Sequence, residues 1–180
     1  MQHTEGVRVT AIALARRYGA DPQKAEQAAL CHDLFRGRAQ GELDRLVDAY
    51  DLPQRYRGSA SLAHGKLAAA FLARDWGIED RALLDAVSYH TTGRAGMSTL
   101  EKVVFLADAI EPGRAYPGVE KLRQLAQEDL DAGCLASLEG TIRELQKKGR
   151  DIDPDSLAAA ADLRRRVREK GLLSSLNRGA

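Results

Sequence analysis

Apolar residues recur along the chain at every third or fourth position rather than every second, the spacing that lines one face of a helix. Alanine and leucine are abundant and aromatics scarce, so the pattern predicts helices throughout and no strand. A first helix reaches about Tyr18 with Val7, Ala11, Leu14 and Tyr18 on one face, and Gly19 tolerates the left-handed stop. Asp21-Pro22 opens a second helix, the aspartate capping backbone donors and the proline standing where a missing N–H costs nothing; it carries Ala25, Ala28, Ala29 and His32. A third spans about 42–50 with Leu43, Leu46, Val47 and Tyr50, closed by Leu52-Pro53 because the residue before proline avoids helical angles. A fourth covers about 62–76, stopped by Gly77, and a fifth about 80–90 on the stripe Leu83, Leu84 and Val87. The loop 91–96 follows, and its two glycines suit a ligand rim. Ser98-Thr99-Leu100-Glu101 is a capping box for a helix reaching Asp108. Beyond Pro112 and Pro117, helices are expected near 119–127, 130–148 and 154–170, the last opened by Asp153-Pro154, and the final ten residues read as a frayed tail.

No repeat or low-complexity linker breaks this order, and 180 residues can bury a core without disulfides. The expected architecture is all-α and a single domain over 1–180, with a motif-bearing core of about 1–131 and additional C-terminal helices over about 132–172. Lys and Arg total 27 against 26 Asp and Glu, a formal net charge of +1, so no global field recruits nucleic acid or an acidic membrane. Arg164-Arg165-Arg166, Arg168 and Lys170 share their helix with Asp162 and Glu169 and lack interleaved aromatics, which reads as a solvated face. Two cysteines, Cys31 and Cys134, are too few and too far apart for a disulfide framework or a CxxC metal site, which fits a reducing compartment. No apolar run approaches membrane-spanning length, and Met1-Gln2-His3-Thr4-Glu5 lacks the regions of a signal peptide, so the expectation is a soluble cytoplasmic protein.

The chain has four histidines, His3, His32, His64 and His90, each at or near a helix end. His32-Asp33 ends an apolar helix, and adjacent imidazole and carboxylate ligands can serve neighbouring metals with the aspartate bridging. Alone the dipeptide is weak, since a helix-terminal histidine interacting with the C-terminal dipole is the better account of the pair by itself. His64 and His90 lie on later helices, and Asp108 follows the apolar run Val103-Val104-Phe105-Leu106-Ala107. A carboxylate in that setting needs a cation, hydrogen bonds or a metal.

An ordered series of motifs adds to this: His3-Thr4-Glu5-Gly6-Val7, Tyr18-Gly19-Ala20-Asp21, Lys24-Ala25, Leu30-Cys31-His32-Asp33, His64-Gly65, His90-Thr91-Thr92-Gly93, Met97-Ser98 and Ala107-Asp108-Ala109-Ile110-Glu111-Pro112-Gly113-Arg114. The series resembles the HD-domain superfamily and, within it, the YqeK-like symmetrical diadenosine tetraphosphate hydrolases of bacteria, over roughly the first three quarters of the chain. The resemblance implies an HD-type helical bundle in which His3, His32, Asp33 and Asp108 hold one metal while Asp33 as bridge, His64 and His90 hold a second. It favours two iron ions, divalent or mixed-valence, with manganese, cobalt or nickel compatible with the same nitrogen and carboxylate donors. Cys31 reads as a small apolar residue beside the ligands. Only Met1 and Gln2 precede His3, so either metal binding orders that end or residues are missing before it.

The implied reaction is hydrolysis of diadenosine tetraphosphate into two ADP by a metal-activated hydroxide, with Asp33, Arg36 and Arg114 in catalytic roles. Arg36 stands where HD proteins often carry lysine, and its planar fork suits phosphate oxygens. Arg36, Arg94, Arg114, Thr91, Thr92, Gly65 and Lys66 are the candidates for substrate contact. The partner is then a small dinucleoside polyphosphate, with no nucleic acid and no membrane, and the alanine-rich helical surface could support a homodimer. Three alternatives stay open: another HD nucleotidase or phosphodiesterase, a non-catalytic helical module stabilised by metal, and a helical interaction protein whose histidines are ordinary polar residues.

Overall fold

Aspartate side chains start four of the helices in this chain. The structure, a computed structural model, describes residues 2–171. Among them lie α1 (Gln2–Tyr18), α2 (Pro22–Cys31), α3 (Gln40–Ala49), a 3₁₀ turn (Gln54–Tyr56), α4 (Ala60–Arg74), α5 (Arg81–Ser88), α6 (Thr99–Ile110), α7 (Val119–Glu128), α8 (Leu130–Lys147) and α9 (Pro154–Glu169), with no strand. The carboxylates of Asp21, Asp80, Asp129 and Asp153 each accept backbone N–H groups at the N-termini of α2, α5, α8 and α9. Ser98 and Glu101 form the expected reciprocal box at the start of α6. The expected tail falls, past Gly171, outside the described residues.

Several boundaries differ from the sequence reading. α3 begins at Gln40 and ends at Ala49, before Leu52-Pro53 could stop it. The stop is Asp51, held at φ +53°, with Leu52 N–H on Val47 O at 2.9 Å and Asp51 N–H on Asp48 O at 3.1 Å, a paired helix closure that usually takes glycine. α4 runs from Ala60 to Arg74, so Trp76 lies beyond it, and α5 stops at Ser88, leaving His90 outside the helix. α6 continues two residues past Asp108 to Ile110.

The end of α6 is closed by side chains. Arg114 Nε donates to Asp108 O at 2.9 Å, Tyr116 Oη to Ala109 O at 2.8 Å and Arg123 Nε to Ile110 O at 2.9 Å. Arg123 Nη2 adds bonds of 2.8 Å to the carbonyls of Glu111 and Arg114. The carbonyls a helix end leaves open are thus satisfied by the segment 111–123, which fixes that segment against the helix carrying Asp108.

α6 is the central element. Val103, Val104, Leu106 and Ala107 are fully buried, and α1, α2, α5, α7 and α8 pack around it. α1 lies chiefly on α2 and α6, α4 on α5, and α9 on α8. A Cβ on Gly133 would stand 2.8 Å from Leu106 Cδ2 and 3.3 Å from Ala126 Cα, so glycine lets α8 approach both neighbours. Lys102 and Asp131 pair inside this layer at 2.7 Å, and Lys170 reaches the other Asp131 oxygen at 2.6 Å. No helix among the described residues is long and apolar enough to cross a membrane.

Candidate metal centre

The packing of α1, α2, α4 and α6 brings the four histidines and two aspartates to one point. His3 comes from the first turn of α1, His32 and Asp33 from the end of α2, His64 from α4, His90 from just beyond α5, and Asp108 from the last turns of α6. His32, His64 and His90 are buried, at 0, 5 and 2% exposure.

Each imidazole has one nitrogen committed away from the centre. His32 Nδ1 lies 2.6 Å from Ala29 O, His64 Nδ1 3.1 Å from Ala60 O, and His90 Nδ1 2.7 Å from Val87 O. A carbonyl only accepts, so in each case Nδ1 carries the proton and the Nε2 lone pair faces the cluster. His3 Nδ1 meets Glu111 Oε1 at 3.1 Å and is oriented in the same way.

The Nε2 atoms converge on the carboxylates. His3 Nε2 is 3.1 Å from Asp108 Oδ1 and 3.5 Å from Asp33 Oδ2, and His32 Nε2 is 3.4 Å from Asp33 Oδ2 and 3.9 Å from Asp108 Oδ1. On the other side, Asp33 Oδ1 lies 3.2 Å from His64 Nε2 and 3.7 Å from His90 Nε2, and these two nitrogens are 3.0 Å apart. Donors sharing a metal with bonds of about 2.1 Å stand roughly 3–3.5 Å apart, so both groupings have the right scale. His32, Asp33 and His90 also present donors within 4.8 Å of one another, but His64 is the nearer partner of Asp33 Oδ1.

The buried Nε2 atoms of His3 and His32 have no hydrogen-bond partner, which a native interior avoids unless something else satisfies them. Burial would raise the Asp33 carboxyl, but the imidazoles of His32, His64 and His90 outweigh it and hold the group far below the usual carboxylate range. Burial likewise opposes charge on His32, yet Asp33 beside it wins and raises the imidazole. At His90 burial prevails and lowers it, favouring the neutral form that ligates. Nitrogen and carboxylate donors with orphaned lone pairs fit two metal ions; Cys31 is free and outside both groupings.

Of the expected substrate contacts, Thr91, Arg36 and Arg114 reach the centre. Thr91 Oγ1 is 3.1 Å from His90 Nε2, Arg36 Nη1 is 3.2 Å from Asp33 Oδ2, and Arg114 Nη2 is 2.6 Å from Asp108 Oδ1. A cavity of about 490 Å³ opens on the His3 side of the centre, lined by His3, Gly6, Glu111, Pro112 and Gly113. The structure gives the other four different surroundings. Arg94 is spent on Glu101 at 2.6 Å and Asp85 at 3.0 Å, because Glu101 is buried and needs a cation. Thr92 is buried and its hydroxyl bonds Gly93 O at 2.9 Å. Lys66 lies 3.3 Å over the Tyr89 ring without a hydrogen bond, and burial pushes its ammonium down to about 8. Gly65 is a matter of space, since a Cβ there would meet His90 Cε1 at 2.8 Å.

Sequence reasoning missed Glu111 as a positioning residue. It is 4% exposed, orients His3 and also accepts Gly113 N–H at 2.6 Å. A Cβ on Gly6 would come within 2.5 Å of Glu111 Oε2, so Gly6 makes room for it. The available signal was a carboxylate directly after an apolar helix and before Pro112, in the motif that also holds Asp108.

A helical scaffold focusing four imidazoles and two carboxylates on adjacent metal positions defines a metallohydrolase of the histidine–aspartate type. The chain belongs to the HD-domain family, whose model matches residues 1–113. It is 42% identical over 155 residues to the symmetrical bis(5'-nucleosyl)-tetraphosphatase of Bacillus subtilis, covering 86% of this chain and 83% of that one. A relative of the same description from Halalkalibacterium halodurans is 48% identical over 160 residues, covering 87% and 84%. Among solved structures, a predicted HD superfamily hydrolase involved in NAD metabolism, from Clostridium acetobutylicum, superposes with a TM-score of 0.85 at 36% identity, covering 91% of this chain and 88% of its own.

Proposed function

We propose that this chain hydrolyses diadenosine tetraphosphate symmetrically, releasing two molecules of ADP. One observation carries the reading: four imidazoles with Nδ1 committed elsewhere aim Nε2 at two carboxylates, in a chain 42–48% identical to symmetrical tetraphosphatases over more than four fifths of both lengths. His3, His32, Asp33 and Asp108 hold one metal, and Asp33, His64 and His90 the other. Bound there, the metals lower the pKa of water and offset phosphoryl charge, a task for which iron is the favoured occupant and manganese, cobalt or nickel are compatible.

Attack at an inner phosphorus breaks the central P–O bond, so water enters one ADP and the other leaves as a diphosphate. Arg36, half exposed and only 3.2 Å from Asp33, is placed to give its guanidinium to a phosphate. Arg114 keeps Asp108 in position and offers its remaining donors to the same polyphosphate. Thr91, beside His90, is a further contact for a phosphoryl oxygen. We read the chain as a single domain working in the cytoplasm on a small molecule, without nucleic acid or membrane, and able to dimerise.

The test is product analysis of the metal-reconstituted protein on diadenosine tetraphosphate, with Asp33→Ala alongside and NAD as comparison because of the description attached to the Clostridium neighbour. ADP as sole product, lost in the variant and with NAD intact, is expected. AMP plus ATP overturns the attack position, and turnover of NAD alone overturns the substrate.

A further inference from the structure

We propose that Tyr116 is a stacking platform for one nucleobase of the substrate, an inference that rests on the dinucleotide reading above. A tyrosine ordinarily buries its ring and leaves its hydroxyl in water, being apolar in body and polar at the tip. At Tyr116 the hydroxyl is instead tied back to the protein, donating to Ala109 O at 2.8 Å, while the residue is 43% exposed. Its tip is pinned to the end of α6, and the residue still leaves nearly half of its surface open to a ligand.

That ring is held beside the phosphate-facing edge of the centre. Arg114 and Tyr116 reach back to consecutive residues of α6, Arg114 to both the carboxylate and the carbonyl of Asp108 and Tyr116 to the carbonyl of Ala109, so the two side chains are anchored at adjacent positions on the end of α6. A nucleotide whose phosphates sit on Arg114 has its base within reach of this ring. The segment is already rigid, because Arg123 holds the carbonyls of Ile110, Glu111 and Arg114, and a fixed aromatic loses little conformational freedom when a base stacks on it. Trp76 is also exposed, at 58%, but packs on Phe71 with ring centroids 5.4 Å apart, and no bond ties it to the centre. The ligand class is a purine nucleoside diphosphate unit, since every base presents a π-face and the larger purine covers more of the ring.

The experiment measures binding of ADP and of inorganic tripolyphosphate to the full-length, metal-reconstituted protein, together with KM and kcat for diadenosine tetraphosphate. Tyr116→Ala and Tyr116→Leu should weaken ADP about tenfold and raise KM, with tripolyphosphate affinity unchanged. Tyr116→Phe should behave as wild type, and Trp76→Ala should alter neither ligand. Unchanged ADP binding in Tyr116→Ala, an equal loss of tripolyphosphate, or a Tyr116→Phe as weak as the alanine variant would each overturn the platform, the last two by showing that the residue acts only through the end of α6. Tyr116-dependent ADP binding in a protein that leaves diadenosine tetraphosphate intact would sink the substrate reading and keep the platform.

Discussion

Gly65→Ala sets two effects of known sign against each other. Gly65 lies in the interior of α4, where alanine in place of glycine stabilises by roughly 0.5–1 kcal/mol through lost unfolded-state freedom. The new Cβ, however, would stand 2.8 Å from His90 Cε1, 2.9 Å from His90 Nδ1 and 3.1 Å from Val87 O. Carbon contacts are comfortable only at about 3.5 Å and beyond, so the ring must retreat by roughly 0.7 Å. It cannot do so alone, because Nδ1 is bonded to the same Val87 carbonyl at 2.7 Å, and that oxygen is itself crowded. α5 has to move with it, and overpacking of this kind costs about 1–3 kcal/mol. The clash wins, for a net loss of about 1 kcal/mol in unfolding free energy. A site tolerates about 0.5 Å of misplacement, so metal affinity on the His64–His90 side should fall roughly 10- to 100-fold, as when a ligand's supporting contact is lost. Urea unfolding of the metal-free protein and metal titration measure the two separately. Gly140→Ala, in α8 with nothing within 4 Å, is the control and should stabilise by about 0.5–1 kcal/mol with metal binding intact. A Gly65→Ala protein stabilised like the control, with full metal content, would refute the reasoning.

Three further outcomes follow from the same contacts. Glu111→Ala removes the acceptor that orients His3, and metal titration should find the site formed by His3, His32 and Asp108 weakened about 10- to 100-fold while the other keeps its affinity. Asp131→Asn breaks a buried pair with Lys102 and should cost about 3–5 kcal/mol in urea unfolding at pH 7. Burial pushes the Asp131 carboxyl up, but its bonds to Lys102 and Lys170 hold it below the ordinary value. The unfolded chain therefore binds the extra proton in acid: the stabilisation is complete above about pH 4 and lost as pH falls through the folded value, so the variant's deficit should shrink on acidification. Arg94→Ala strips buried Glu101 of its cation and should destabilise by about 3 kcal/mol, with kcat/KM on diadenosine tetraphosphate within a few-fold of wild type; a selective loss of activity at unchanged stability would return Arg94 to the substrate.

What was legible in the sequence is what depends on neighbours along the chain. Asp21, Asp80, Ser98 with Glu101, and Asp153 satisfy donors two or three residues away, so the starts of α2, α5, α6 and α9 could be read directly. The six residues expected at the metals were carried by ordered motifs, and the packing brings all six together. What was not legible depends on partners far away. Glycine at a helix stop is a visible signal, but Asp51 in the same backbone region has no composition cue. The surroundings of Arg94 and Lys66 belong here too, since Asp85, Glu101 and the Tyr89 ring meet them only through the fold. Gly65 follows His64 in the chain, yet the ring it makes room for belongs to His90.

The placement of the histidines has a common cause. A helix leaves its last carbonyls without backbone partners, and a histidine three or four residues on can donate Nδ1–H to one of them, as His32 does to Ala29 and His90 to Val87. That single bond satisfies an open carbonyl, fixes the tautomer and turns Nε2 outward as a ligand, so position at a helix end does the work a separate supporting side chain would otherwise do. His64 takes the Ala60 carbonyl in the first turn of α4 instead, stretched to 3.1 Å. His3 lies at the opposite kind of helix end, in the first turn of α1, and its Nδ1 partner comes from across the fold. Glu111 is that acceptor; Gly6 leaves room for its carboxylate, and Arg123 holds its carbonyl in the clamped segment after α6. The orientation of His3 therefore rests on an acceptor distant in sequence, and substitutions at Glu111 or in the segment that holds it should loosen that end of the site.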